Sequence, residues 1–131
     1  MSTDTTNMVI KDDSVSPFDY CAADKEHIYR TSFNANSVCC YSRKGQKQWE
    51  LKDEKKISYP YGICVDNFSY LYVASFKNNS IVVVQPDGKS SRTVLTKNNG
   101  LDYPLAVYFH RKKNQLLVAN YHGPLYLFKI S

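Results

Sequence analysis

The chain contains no run of about 18 apolar residues, the length a membrane-crossing helix requires. No transmembrane helix and no membrane partner are therefore expected. The opening Met1-Ser2-Thr3-Asp4 has neither the basic start nor the apolar stretch of a secretory signal, so the expectation is a cytoplasmic protein. Cysteine occurs at 21, 39, 40 and 64, never as Cys-x-x-Cys, and there are three histidines. That spacing fits no zinc site and, without secretion, no disulfide framework. Gly-x-Ser-x-Gly, Walker and His-Glu-x-x-His patterns are all absent. His27, His110 and His122 fall in expected turns or connections, with no cysteine or serine partner implied. No catalytic residue, metal or cofactor is expected, and the chain is read as a non-enzyme.

What is present points to strands. Apolar residues make up 43%, too many for a disordered chain, and aromatics 14%, with 11 tyrosines among them. Tyrosine and β-branched residues suit a pleated, half-buried surface. The net charge of +5 is uneven: residues 1–30 carry 6 acids and 3 bases, residues 31–131 carry 14 bases and 6 acids. A basic surface attracts phosphates or acidic proteins.

Order in the chain comes from a repeat. Pro17, Pro60 and Pro104 stand 43 and 44 residues apart. After each follows a related succession: Ile28-Tyr29-Arg30-Thr31-Ser32-Phe33, Leu71-Tyr72-Val73-Ala74-Ser75-Phe76, Leu116-Leu117-Val118-Ala119-Asn120-Tyr121. A period in the forties with several short strands per unit marks propeller blades. The middle unit is the most complete. Its strands are separated by the turn Asp66-Asn67-Phe68-Ser69, a polar connection from Ser75 to Asn79, and the hairpin Pro86-Asp87-Gly88-Lys89. Proline presets φ in that hairpin and glycine accepts a positive φ. The fold expected is all-β, a partial β-propeller of about two four-stranded blades and most of a third. The blades occupy residues 17–59, 60–103 and 104–131, after an N-terminal tail of residues 1–16. In that tail Asn7-Met8-Val9-Ile10-Lys11 reads as a possible closing strand, because the third blade lacks its outer strand. Cys21 and Cys64, equivalent in the repeat, are expected as small buried residues of first strands. Trp49 is expected to pack. Val38, Cys40, Val107 and Phe109 are expected on uncovered faces of the end blades, which makes self-association through incomplete blades an expectation.

The stretches Pro60-Tyr61-Gly62-Ile63-Cys64-Val65-Asp66, Leu71-Tyr72-Val73-Ala74, Ser80-Ile81-Val82-Val83-Val84 and Pro86-Asp87-Gly88-Lys89 resemble an NHL repeat. The phrases Asn79-Ser80-Ile81-Val82-Val83-Val84-Gln85-Pro86-Asp87-Gly88 and Gln115-Leu116-Leu117-Val118-Ala119-Asn120-Tyr121 resemble most the tripartite-motif proteins of bivalve molluscs. The resemblance covers about residues 17–131. It implies a six-bladed propeller that follows a RING, B-box and coiled coil, and that selects targets for a ubiquitin ligase or binds RNA. This chain has no RING array, and the acid common after the second strand is replaced by Ser32, Ser75 and Asn120.

The geometry the resemblance implies places the loops between second and third strands on one face with the crossovers between blades. The candidate binding face is Phe33, Asn34, Asn36, Tyr61, Phe76, Lys77, Asn78, Tyr103, Tyr121 and His122. Aromatics beside amides and bases suit a protein hot spot, and equally suit stacking on unpaired bases. Phe33, Phe76 and Tyr121 share one repeat position, which also fits packing between blades. The opposite face carries Arg43, Lys44, Arg111, Lys112 and Lys113, a secondary basic patch or turns kept in water. Among possible metal ligands at first-strand ends, Asp19, Asp66 and His110, only the last two align. The expected function is protein-target recognition. Single-stranded RNA binding, a shortened copy without function of its own, and a metal-dependent propeller hydrolase are the alternatives.

Overall fold

The computed structural model describes residue 10 and residues 16–130. The possible closing strand over residues 7–11 lies, but for Ile10, outside them. Eleven strands follow in order: β1 Cys21–Ala23, β2 His27–Ser32, β3 Ser37–Ser42, β4 Lys47–Lys52, β5 Pro60–Val65, β6 Leu71–Ser75, β7 Ser80–Val84, β8 Ser91–Leu95, β9 Pro104–His110, β10 Gln115–Asn120 and β11 Tyr126–Lys129. They form three antiparallel sheets of consecutive strands, β1-β2-β3-β4, β5-β6-β7-β8 and β9-β10-β11. The first strands lie side by side, β1 against β5 and β5 against β9. This is a partial β-propeller: two complete blades and three strands of another. Among the described residues no helix is long and apolar enough to cross a membrane. The crossover after β8 holds one short 3-10 turn, Lys97–Asn99, capped by Thr96 and closed by Gly100 at φ 101°.

Blade two is buried on both sides, which is why β6 and β7 read as unbroken apolar runs. Alternate side chains divide between two cores. Leu71, Val73, Val82 and Val84 join Tyr29, Val38, Cys40 and Ile57 against blade one. Tyr72, Ala74, Ile81 and Val83 join Leu101, Phe109, Leu116 and Val118 against blade three. Val38, Cys40 and Phe109 are thus buried in blade interfaces rather than on uncovered faces, and Val107 is half-buried beside them. The residues that do stand out on the far side of blade three are Tyr108 and Leu127, both cross-strand neighbours of Leu117.

Cys21 is exposed and Cys64 half-buried, not the buried pair expected; β1, a three-residue strand, meets β5 but no first strand before it among the described residues. Cys39 and Cys40 are buried on opposite faces of β3, and burial pushes the Cys40 thiol up to about 11. Trp49 packs, as expected, against the blade-interface core. Its ring lies 6.3 Å from that of Tyr29, and the β7–β8 turn closes on it so tightly that a Cβ at Gly88 would fall 2.2 Å from the indole.

Candidate functional site

The β2–β3 and β6–β7 loops and the crossovers into β5 and β9 meet on one face. Each loop ends on an asparagine in the left-handed region, Asn36 at φ 52° and Asn79 at φ 50°, where asparagine is tolerated better than most residues. From there the Asn36 side-chain oxygen accepts the Tyr59 backbone N–H at 2.8 Å, and that of Asn79 accepts the Tyr103 N–H at 2.6 Å. The backbone oxygens of the same tyrosines accept from Phe76 at 3.3 Å and Tyr121 at 2.8 Å. Tyr59 and Tyr103 sit directly before Pro60 and Pro104 at φ 49° and 56°. An aromatic residue there is strained by about 1–3 kcal/mol and persists only where its surroundings hold it. Here both backbone polar groups of each tyrosine are held.

The result is a continuous aromatic ridge across the three blades. Phe18 meets Phe33 at 5.2 Å between ring centres, and Phe33 meets Tyr59 at 4.9 Å and Tyr61 at 5.3 Å. Tyr61 meets Phe76 at 5.1 Å, and Phe76 meets Tyr103 at 5.0 Å and Tyr121 at 6.2 Å. Tyr121 ends the row on His122 at 4.6 Å. The Lys77 ammonium lies 5.2 Å from the centre of the Tyr59 ring, a cation–π contact. Phe33, Tyr61 and Phe76 are half-buried, whereas Tyr59, Tyr103 and Tyr121 are exposed. Packing between blades therefore describes Phe33 and Phe76, but not Tyr121, which is 62% exposed. Asn34 and Asn78 are exposed on the loops, Asn78 donating to the Lys55 carbonyl at 3.1 Å.

The structure thus gathers Phe33, Tyr61, Phe76, Lys77, Tyr103, Tyr121 and His122. It adds Phe18, Tyr20 and Tyr59, which sequence reasoning left out; Tyr20 meets Tyr61 at 6.2 Å. For Tyr59 a signal existed, since it stands before Pro60 as Tyr103 stands before Pro104. In blade one the loop is anchored differently. Asp19 accepts the Phe33 N–H at 2.9 Å and pairs with buried Arg30 at 2.6 Å.

The opposite face does not carry one basic patch. Arg43 donates to the carbonyls of Asp24 and Lys25, and the Arg111 carbonyl accepts from Asn67 at 3.2 Å. Between them a groove is lined by Asp24, Lys25, Glu26, Asp66, Asn67, Ser69 and Arg111, so carboxylates interrupt the cations. Lys44, Lys112 and Lys113 are exposed in their turns.

Asp24 and Asp66 are structural. Each accepts two backbone N–H groups of its own turn and a tyrosine hydroxyl one strand on, from Tyr29 at 2.8 Å and Tyr72 at 3.3 Å. His110, aligned with Asp66, takes the same part by accepting the Lys113 N–H at 3.3 Å. Among the described residues no group of three or more His, Cys, Asp or Glu side chains is placed to hold a metal ion.

Burial raises the Asp24 carboxyl, but hydrogen bonds from Tyr29, His27, Ser69 and Glu26 outweigh it and leave it below its ordinary 3.8. A depressed folded value means stability that is present above the unfolded value and lost as pH falls through the folded one. Urea midpoints are therefore expected to drop on acidification below about pH 4. Asp24→Asn should flatten part of that drop; an identical pH profile would refute the assignment.

No family model matches the chain, and no curated protein sequence matches it. Among solved structures it is similar to virginiamycin B lyase from Staphylococcus aureus, at 22% identity and a TM-score of 0.57, over 79% of this chain and 38% of that one. It is similar to hydrazine synthase of Kuenenia stuttgartiensis, at 18% identity and a TM-score of 0.68, over 90% and 33%. It is similar to glutaminyl cyclase of Myxococcus xanthus, at 14% identity and a TM-score of 0.57, over 79% and 43%. At such identities the likeness shows the propeller-type fold alone. The chain spans less than half the length of each.

Proposed function

We propose that the chain is a non-catalytic binding module whose aromatic ridge recognises a protein target, as the propeller part of a tripartite-motif-like ubiquitin ligase. The observation that carries this reading is the pair of strained tyrosines, Tyr59 and Tyr103, each held in its crossover by an asparagine of the preceding β2–β3 or β6–β7 loop. Strain of this kind clusters where a surface must be presented in one shape. Exposed tyrosines around half-buried phenylalanines also match the composition of protein hot spots. Solved structures of similar fold include a lyase, a synthase and a cyclase, so the fold alone does not decide between binding and catalysis. Against catalysis stands the use of Asp24, Asp66 and His110 in their own turns. RNA recognition is the competing reading, but all five residues of the basic patch sit in turns on the far face, and among the described residues Lys77 alone makes a cation–π contact with the ridge. Self-association belongs to the proposal through blade three, where Tyr108 and Leu127 are exposed.

The test places a photo-crosslinking amino acid at Tyr121 on the ridge or at Lys112 on the opposite face, in extracts of the source cells. Protein adducts are expected from the ridge position and not from position 112. Phe76, at the centre of the row, is the expected hot spot. Phe76→Ala should weaken capture about 30-fold, the effect of losing roughly 2 kcal/mol. RNA adducts at position 121, or equal protein adducts from both faces, would overturn the reading.

A further inference from the structure

We infer that the ridge takes a proline-rich segment in the polyproline II conformation; this rests on the protein-recognition reading above. The first ground is the shape of the row. Tyr61 and Phe76 meet at 76° and Phe76 and Tyr121 at 87°, while the Phe33 face is taken up by Tyr59 at 28°. Phe33–Tyr61 at 46° and Phe76–Tyr103 at 39° are tilted as well, so the row is uneven rather than flat. Flat bases need free ring faces. The ridges of a polyproline helix, with a side chain every third residue, instead fit troughs between tilted rings, as in aromatic grooves that bind such helices.

The second ground is hydrogen bonding. The hydroxyls of Tyr20, Tyr59, Tyr61, Tyr103 and Tyr121 make no hydrogen bond among the described residues, whereas Tyr29 and Tyr72 on the other face donate theirs to Asp24 and Asp66. Exposed hydroxyls of this kind can donate to the carbonyls of a ligand. Polyproline II makes no internal hydrogen bonds and leaves every carbonyl open.

Charge is the third ground. Lys77 is the cation seated on the row, Asp102 is an exposed acid beside Tyr103, and the Asp19 carboxylate is taken up by Arg30. A nearly neutral ridge complements a neutral ligand and offers a polyanion little. Such a segment is also pre-organised, so less ordering entropy opposes its binding.

The test is fluorescence anisotropy of the full chain with a labelled oligoproline, acetylated and amidated so that it carries no charge. The controls are a glycine-serine peptide and an oligouridylate of the same length. Saturable binding of the oligoproline alone is expected, unchanged between low and high salt, because no ion pairs form. Tyr59→Phe and Tyr103→Phe keep the rings and remove one donor each, and each should weaken binding about threefold, the worth of a net hydrogen bond. Equal binding of the glycine-serine peptide, tighter binding of the oligouridylate, or no effect of either hydroxyl would overturn the inference. So would failure of the oligoproline to bind. If protein adducts still form at Tyr121 in that case, protein recognition stands and the polyproline ligand alone falls; if neither is seen, both fall.

Discussion

Gly62→Val is expected to cost about 3 kcal/mol or more, the upper end of what overpacking a tight site costs. Gly62 lies on β5, where it faces β9 across the contact of blades two and three. A Cβ there would fall 2.8 Å from the Ala106 Cα, 2.8 Å from the Leu105 carbonyl oxygen and 3.1 Å from the Val107 nitrogen. All three are backbone atoms, so no side chain can swing aside, and β9 itself must move away from β5. Ruin of that contact also loosens Phe109 and Val118 from the core they share with blade two. Native domains hold only about 5–15 kcal/mol in all. The urea midpoint should fall sharply with little change in slope. Gly123→Ala is the control: nothing lies within 4 Å of its Cβ, so only the positive φ of 91° opposes the change, at about 1–2 kcal/mol. Equal losses in the two variants would refute the close-approach argument.

Asp19→Ala should have the second large effect, about 3 kcal/mol, because it breaks a buried, hydrogen-bonded ion pair. The Asp19–Arg30 pair is 2.6 Å apart with both side chains under one-tenth exposed. Arg30 keeps its bonds to the Tyr41 hydroxyl and the Cys39 sulfur but loses the 2.6 Å contact with the Asp19 carboxylate. The same substitution strips the Phe33 N–H of its acceptor and so frees one end of the aromatic ridge. Asp19→Asn separates the two losses: it keeps an acceptor for Phe33 and still removes the carboxylate charge that faces Arg30. Its stability should resemble that of Asp19→Ala, while ligand binding to the ridge is largely retained. A loss below about 1 kcal/mol in Asp19→Ala, within the range of exposed ion pairs, would show that the pair contributes little.

The blades were legible because their punctuation is chemical. Prolines at or just before the first strands and Pro86-Asp87-Gly88 in the hairpin restrict the backbone, so the period of 43 and 44 residues shows although the residues between them differ. The side of the sheet on which a residue lies was not legible. β3 is buried along nearly its whole length, so no polar residue marks which of Val38 and Cys39 faces blade two. Alternation was predictable and its phase was not. Cys21 was misjudged because repeat position says nothing about whether a neighbour exists to cover it. Asp24 escaped notice as the partner of Asp66 because its turn is one residue shorter, reaching Tyr29 in five steps where Asp66 reaches Tyr72 in six. The ridge was half legible. The loop aromatics repeat and could be gathered by alignment, but the left-handed backbone that lifts Tyr59 and Tyr103 into the row comes from asparagines more than 20 residues away in the chain.

The two apolar cores lie one on each side of blade two, and each outer blade touches only one of them. Stability in such an array adds up between neighbours rather than over the whole. The middle blade is then the keystone: it cannot open without breaking both interfaces, whereas either flank can peel away and leave the other pair closed. Blade three, with three strands and, among the described residues, Tyr108 and Leu127 exposed on the far side of its sheet, is the flank that frays first. A backbone amide in β6 or β7 exchanges its hydrogen only when the whole molecule lets go, and one in β11 exchanges through a far smaller opening.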